Sequence, residues 1–214
     1  MRLTLMSTLA LAGILAPASA QILDEGSFEI RKAGLVVGRE EFTVSRDAGG
    51  GRSLATMARF PASRPQIHVQ ALLELTQEGT VAALQIDSRR SEGLSRIIAA
   101  PMHDHLTVRQ TSRDAESSRE YPRAAAAVIL DDELAAFYRI LADRASGPES
   151  RMEVFFPRSG KRGTVTVTRQ PADSAGVTRL ILTGAVTGTL RTDRTGRLLR
   201  VELGDGMVAQ RPEP

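Results

Sequence analysis

The sequence predicts a mainly β fold, in which a curled antiparallel sheet, a half-barrel or open barrel, packs on one α-helix. About a dozen short segments alternate apolar and polar residues between turn-forming residues, which is typical of hairpin-connected strands. Only one segment, at about residues 131–144, has helical spacing. A doubly wound α/β fold would need a helix after most strands, so it is excluded. A closed barrel and a two-sheet sandwich are the alternatives.

Residues 1–20 have the pattern of a signal peptide. Arg2 precedes an apolar run, and Ala18, Ser19 and Ala20 match an A-x-A cleavage site. The run is shorter than the roughly 20 residues that cross a bilayer, and there is no cysteine to carry a lipid anchor at this site. We therefore expect a periplasmic or secreted protein that is not a transmembrane protein. Residues 21–210 are expected to form one β domain, and residues 211–214 a loose tail.

The predicted strands follow one another at hairpin spacing. They are residues 27–31, 41–45, 53–60, 67–75, 81–86, 94–99, 105–111, 152–156, 163–169, 176–183, 185–192 and 198–203. The charged stretch 112–120 is expected to be a loop. Alternation of this kind buries one face of a sheet and leaves the other in water. A broad sheet with one apolar face must curl, close or be covered, and the helix is the only predicted element that can cover it.

The helix prediction depends on one apolar stripe. Its members, at positions i, i+3, i+4 and i+7, are Leu134, Phe137, Tyr138 and Leu141. Asp131 or Asp132 is the expected N-cap, and Gly147 followed by Pro148 is a stop signal. The simplest role for the stripe is the hydrophobic core. The alternative is that it forms one side of a groove that holds an apolar ligand.

The charge pattern argues against a nucleic-acid partner. The chain has 28 Lys and Arg against 25 Asp and Glu, a formal net charge of +3, and the basic residues do not cluster along the sequence. Proteins that bind nucleic acids show a basic stripe, usually with aromatic platforms. Aromatic residues make up only 4% of this chain.

His103 and His105 are the strongest candidates for chemistry. An H-x-H on a strand places both imidazoles on one face, as a transition metal requires. Further ligands would have to come from His68, Glu74 or Asp87. The alternative is an exposed polar loop. The chain has no cysteine and no G-x-S-x-G motif, so the sequence predicts no catalytic residue and no cofactor.

The order of the predicted elements along the chain resembles that of known proteins. Residues 26–42 are followed by hairpins, then by the lone helix within 130–141, and the chain closes with the turn-rich segment 184–203. This order resembles that of uncharacterised exported bacterial proteins that fold as a long antiparallel sheet. It is also similar in outline to lipoprotein-carrier half-barrels. The resemblance implies transport of an acyl chain through the periplasm and brings no catalytic residue with it.

The favoured hypothesis is an exported, non-enzymatic envelope protein that binds or shields an apolar ligand such as a lipid chain. The predicted ligand-binding residues are Leu134, Phe137, Tyr138, Leu141, Phe28, Phe42, Ile67 and Val69. This hypothesis requires a cavity of about a few hundred Å³ between helix and sheet. The alternatives are a secreted metal-dependent hydrolase that uses His103 and His105, and a structural or assembly partner in the envelope that acts through an exposed sheet edge.

Overall fold

The computed structural model describes residues 20–61 and 66–212, so most of the expected signal peptide, residues 1–19, lies outside the described residues. The described chain forms one sheet of 15 strands. The strands are β1 (Gln21–Lys32), β2 (Leu35–Arg46), β3 (Arg52–Phe60), β4 (Ile67–Leu75), β5 (Val81–Arg90), β6 (Gly93–Met102), β7 (His105–Thr111), β8 (Glu116–Pro122), β9 (Val128–Ile129), β10 (Glu149–Phe156), β11 (Lys161–Arg169), β12 (Thr178–Gly184), β13 (Gly188–Thr192), β14 (Leu198–Leu203) and β15 (Met207–Gln210).

The sheet consists of two antiparallel meanders. Strands β1 to β8 pair in sequence order, strands β10 to β15 do the same, and the meanders join where β1 pairs with β15. The short β9 pairs parallel with β10 and forms one edge, and β8 forms the other edge. The predicted mainly β fold with a curled antiparallel sheet is confirmed. The expectation of a loop over 112–120 is wrong in part, because β8 begins at Glu116, and β15 was not predicted.

The sheet curls until its two ends come close to each other. Tyr121 on β8 packs against Phe155 on β10, with ring centroids 4.7 Å apart. Arg162 on β11 donates a hydrogen bond to the carbonyl oxygen of Pro122 at 2.9 Å. Within residues 20–61 and 66–212, the ends of the sheet are not joined by a backbone ladder. The architecture is therefore an open barrel whose ends meet through side chains.

One helical segment fills the inside of the curl. The α-helix α1 (Tyr138–Arg144) directly follows a 3-10 turn (Ala135–Phe137). Another 3-10 turn (Ala124–Ala126) lies further upstream. The helix predicted over 131–144 therefore begins late: the 3-10 turn begins at Ala135 and the α-helix at Tyr138, while the predicted end at residue 144 agrees with Arg144. Leu134 is extended, with φ −118° and ψ 97°, and the Asp131 carboxylate accepts a hydrogen bond from the N–H of Glu133 instead of capping the helix. The expectation that Asp131 or Asp132 is the N-cap was wrong.

The apolar side chains of the helical segment are buried, whereas Asp143 on α1 is exposed. Leu134, Phe137 and Leu141 are 0% exposed and Tyr138 is 1% exposed, and Ala135 and Ala136 beside them are buried as well. Burying one such large apolar side chain contributes roughly 1.5–3 kcal/mol. The stripe is therefore part of the hydrophobic core, and the small alanines let the surrounding sheet approach the helix closely.

The end of the described chain is anchored. The guanidinium of Arg211 donates to Asp24 Oδ2 at 2.6 Å and to the carbonyl oxygen of Leu198 at 2.7 Å. Its central carbon lies 4.8 Å from the centroid of the Phe42 ring, a cation–π distance. The expectation of a loose tail from residue 211 is therefore wrong at Arg211, and residues 213–214 lie outside the described residues.

Candidate functional site

Most of the predicted ligand-binding residues are buried in the hydrophobic core, and Phe42 is the one that also borders a groove described below. Besides the four stripe residues, Phe28 and Val69 are 0% exposed and Phe42 is 6% exposed, while Ile67 is partly buried against the core. Phe28 and Phe42 stack with ring centroids 4.9 Å apart. A cavity between α1 and strands β2 to β4 has a volume of about 20 Å³. That volume is close to the minimum for one water molecule, so it does not accommodate a lipid chain.

The histidine pair lies in a turn. Met102 pairs with His105 across the β6–β7 hairpin, which places His103 and Asp104 at its tip, and His103 has a left-handed φ of 57°. The same-face arrangement expected for a strand therefore does not arise. The nearest carboxylate, Asp104, contacts His105 Nδ1 at 2.5 Å and is largely exposed. Among the described residues, no three His, Cys, Asp or Glu side chains converge on a common point that could hold a metal ion.

Glu40, a residue that the sequence analysis did not select, is a buried carboxyl group that contacts the helical segment. It lies on the inward face of β2 and is 0% exposed, whereas the neighbouring Glu41 points outward into solvent. Its carboxylate accepts hydrogen bonds from the N–H of Ala135 at 2.8 Å and of Ala136 at 3.2 Å, and from the Thr56 hydroxyl at 2.7 Å. The capping group thus comes from a strand about 95 residues away in sequence.

Burial raises the pKa of Glu40 to about 7, against the opposing effect of its three hydrogen-bond donors. The Thr56 hydroxyl also lies 3.0 Å from the carbonyl oxygen of Glu41. When Glu40 is protonated, it can donate to Thr56, which then donates to that carbonyl. When Glu40 is ionised, the Thr56 hydroxyl turns and donates to the carboxylate. Both protonation states therefore keep their hydrogen bonds, and the group is a structural tie between β2 and the helical segment.

Two further buried carboxylates hold the helical segment in place. Asp24 on β1 accepts a hydrogen bond from Arg139 on α1 at 2.8 Å, and its side chain is 0% exposed. Asp131 accepts one from Arg158 at 2.5 Å, and Arg158 also donates to Ser88 at 2.6 Å. Burial raises the pKa of Asp131 in spite of the Arg158 charge. Both carboxylates accept hydrogen bonds from arginine side chains, so they stabilise the position of the helical segment and do not form an acid–base pair for catalysis.

A shallow groove that is widely open to solvent lies on the opposite face of the sheet, and we call it the outer groove. It has a volume of about 830 Å³ and crosses strands β1 to β5. Its lining residues are Glu25, Gly26, Ser27, Arg39, Glu41, Phe42, Thr43, Ala55, Thr56, Met57, Gln70, Ala71, Leu72, Gln85 and Asp87. Phe42 is the member of this set that was also predicted to bind a ligand.

The floor of the outer groove is apolar and its margins are polar. Cross-strand pairing aligns Ala55 with Leu72 and then Leu72 with Gln85, and Leu72 is 42% exposed. Strand alternation turns these side chains away from the helix. Although partial burial opposes it, hydrogen bonds from Arg96 and Gln85 lower the pKa of Asp87 at one margin. An apolar strip between fixed charges suits an amphiphilic ligand.

The exposed edge of the sheet is strand β8. Its residues are exposed except for Tyr121, and it carries charged side chains and ends at Pro122. Charges and a proline are the features by which natural edge strands avoid pairing with other chains. The β8 edge therefore gives little support to the expectation of a partner that adds a strand. In the described part of the chain, no helix has the length and apolar character needed to cross a bilayer.

Comparison with known proteins bears on the fold alone. No protein-family model matches the chain, and no curated protein sequence does. A crystal structure of a β-barrel-like protein of a domain of unknown function, DUF1849, from Brucella abortus is similar with a TM-score of 0.60 at 10% sequence identity, covering 91% of this chain and 98% of that chain. A crystal structure of a DUF1089 family protein from Pseudomonas aeruginosa has a TM-score of 0.45 at 11% identity, covering 91% of this chain and 95% of the other. The fold of this chain is thus similar to that of the β-barrel-like DUF1849 protein.

Proposed function

We propose that this is an exported, non-enzymatic protein of the cell envelope that holds the apolar part of an amphiphile, such as a lipid chain, in the outer groove. The observation that supports this most is the groove of about 830 Å³ on the face opposite the helix. Pockets for small ligands have volumes of about 300–1,000 Å³. A second pocket, of about 470 Å³, lies between the end of α1 and strands β11 to β13, and its lining includes Asp143, Arg169 and Asp193. Because those charged side chains do not suit an apolar group, we assign binding to the outer face.

The chemistry of the groove supports an amphiphile over a fully polar ligand. Ala55, Met57 and Leu72 form an apolar strip on the outer face of β3 and β4. Arg39, which donates to Ser27 at 3.1 Å, lies at one margin and can reach an anionic headgroup. Asp87, engaged by Arg96 at 2.6 Å, closes the other margin.

The proposed export of the protein is based on the signal-peptide pattern of residues 1–20, with cleavage before Gln21. Gln21 is the first residue of β1. Removal of the leader would therefore leave the sheet complete from its first strand. Determination of the N-terminal residue of protein recovered from the periplasm or culture medium tests this step, and an intact Met1 would contradict it.

The binding function is tested with an uncharged apolar fluorophore, N-phenyl-1-naphthylamine, together with native mass spectrometry of protein purified from the periplasm. Leu72→Asp places a charge on the groove floor. We expect about tenfold weaker dye binding, because burial of one leucine side chain contributes roughly 1.5–3 kcal/mol. Ile22→Asp is the matched control, since Ile22 is 58% exposed and lies outside the groove. Equal binding by both variants, or no bound amphiphile and no dye binding in the wild type, would refute the proposal.

A further inference from the structure

A row of basic side chains crosses the outer face of the sheet at one end. Cross-strand register places Arg39 opposite Arg59, Arg59 opposite His68, and His68 opposite Arg89. All four side chains project outward, because they alternate with buried residues along β2 to β5. Adjacent strands are about 4.8 Å apart, so the row, which we call the basic row, spans roughly 15 Å.

The basic row is poorly compensated within the protein. Arg39 lies 3.8 Å from Glu41, a loose ion pair. Arg59 donates to the Met57 sulfur, and among residues 20–61 and 66–212 neither Arg59 nor Arg89 makes a salt bridge. Like charges placed directly opposite each other on neighbouring strands destabilise a sheet. An external anion would relieve this repulsion.

Exposed apolar side chains occupy hairpins at the same end of the sheet. Leu35 and Val36, at the β1–β2 hairpin, are 72% and 51% exposed, and Leu94, at the β5–β6 hairpin, is 63% exposed. Leu94 pairs directly with Arg89 at the end of the basic row. Leu35 precedes Arg39 by four positions on β2, so it extends roughly 13 Å beyond the row. Exposed apolar side chains thus lie beyond the basic row at Leu35 and beside it at Leu94.

Acidic residues flank these hairpins, and two of them are paired with basic residues outside the basic row. Glu29 is engaged by Arg31 at 2.7 Å, and Asp205 by Lys32 at 3.6 Å. Glu92, in the β5–β6 turn, accepts a hydrogen bond from the neighbouring Ser91. The acids of the first two pairs are therefore engaged by residues outside the basic row, and Arg59 and Arg89 make no salt bridge with them.

We propose that this end of the sheet docks on an anionic lipid bilayer, with the basic row at the headgroups and Leu35, Val36 and Leu94 inserted at the interface. Apolar side chains next to basic ones bind membranes through burial of the apolar part and attraction to anionic lipids. A lipid surface fits better than an acidic protein, because the exposed apolar residues lie on two hairpins, β1–β2 and β5–β6, beside the arginines, and a bilayer offers both an anionic surface and an apolar interior. This surface is distinct from the outer groove, although Arg39 borders both.

The test is sedimentation with vesicles made of equal parts phosphatidylglycerol and phosphatidylcholine, and with vesicles of phosphatidylcholine alone. We expect binding to the anionic vesicles that weakens as salt is added, and little binding to the neutral ones. The double variant Arg59→Glu/Arg89→Glu should bind at least about tenfold more weakly. The control is Arg151→Glu/Arg179→Glu, which changes the net charge equally at exposed positions on β10 and β12.

A second double variant, Leu35→Asp/Leu94→Asp, tests the apolar contribution and should also lose most vesicle binding. Circular dichroism melts confirm that each variant is folded. The proposal is overturned if the wild type ignores the anionic vesicles, if both arginine double variants lose binding equally, or if the wild type binds soluble poly-glutamate but not vesicles, which would indicate an acidic protein partner. Leu72→Asp separates the two proposals, because it should weaken dye binding and leave vesicle binding intact.

Discussion

Replacing Glu40 with glutamine tests whether the buried cap of the helical segment is neutral or ionised. The carboxyl group is 0% exposed, and burial raises its pKa from an ordinary 4.5 to about 7. A raised folded-state pKa stabilises the protein fully below the unfolded value and loses that contribution as pH rises through the folded value. The gap corresponds to about 3 kcal/mol, at about 1.36 kcal/mol for each pH unit. The contribution of Glu40 to the free energy of unfolding is therefore lost between about pH 4.5 and pH 7.

The assay is urea unfolding of the wild type and of Glu40→Gln at several pH values between 4 and 8. Glutamine keeps an oxygen for the N–H of Ala135 and an amide donor for Thr56, so it mimics the protonated state. We expect the free energy of unfolding of the wild type to fall relative to that of Glu40→Gln by about 3 kcal/mol as pH rises. Glu41→Gln, on the outer face of the same strand, should show no such trend. A constant difference would show that folding does not shift the pKa of Glu40, and a fall toward low pH would show that folding lowers it; either result would refute the reasoning.

Two further substitutions test how the helical segment stabilises the fold. Phe137→Ala should destabilise the protein by about 3–5 kcal/mol, because it empties a site that the sheet encloses, and chemical denaturation measures this. Asp24→Asn should cost a similar amount, about 3–5 kcal/mol, since it removes the buried charge that Arg139, Arg197 and Arg211 contact. A loss below about 1 kcal/mol in either case would mean that the side chain is not held as described.

The local pattern of the sequence was sufficient to predict the fold class and the core helix. Strand alternation is a property of neighbouring residues, and the helical stripe from Leu134 to Leu141 is equally local. The same pattern could not show whether the buried face is hollow or filled. That depends on how closely the sheet curls, and the small residues Ala135 and Ala136 allow close approach.

The features that sequence reasoning missed depend on long-range pairing. Glu40 reaches Ala135 and Ala136 only because the chain folds back over about 95 residues. The local sequence offers one signal for it, which is that Glu40 occupies a position of β2 where the alternation predicts an inward-facing apolar residue. The basic row is likewise invisible along the chain, because Arg59 and Arg89 are brought together by the register of β3, β4 and β5. These basic residues are far apart along the sequence, and the pairing of the strands aligns them. β8 was missed because its residues are almost all exposed, so it lacks alternation.

The most direct test of the account is an NMR titration of the uniformly ¹⁵N-labelled protein with a lauroyl amphiphile below its critical micelle concentration. The account predicts that the amide signals of Ala55, Met57 and Leu72 shift on binding, while those of Phe137 and Tyr138 in the packed interior stay in place. Large shifts at Phe137 and Tyr138, with none on the outer strands, would place the ligand between helix and sheet and contradict the account.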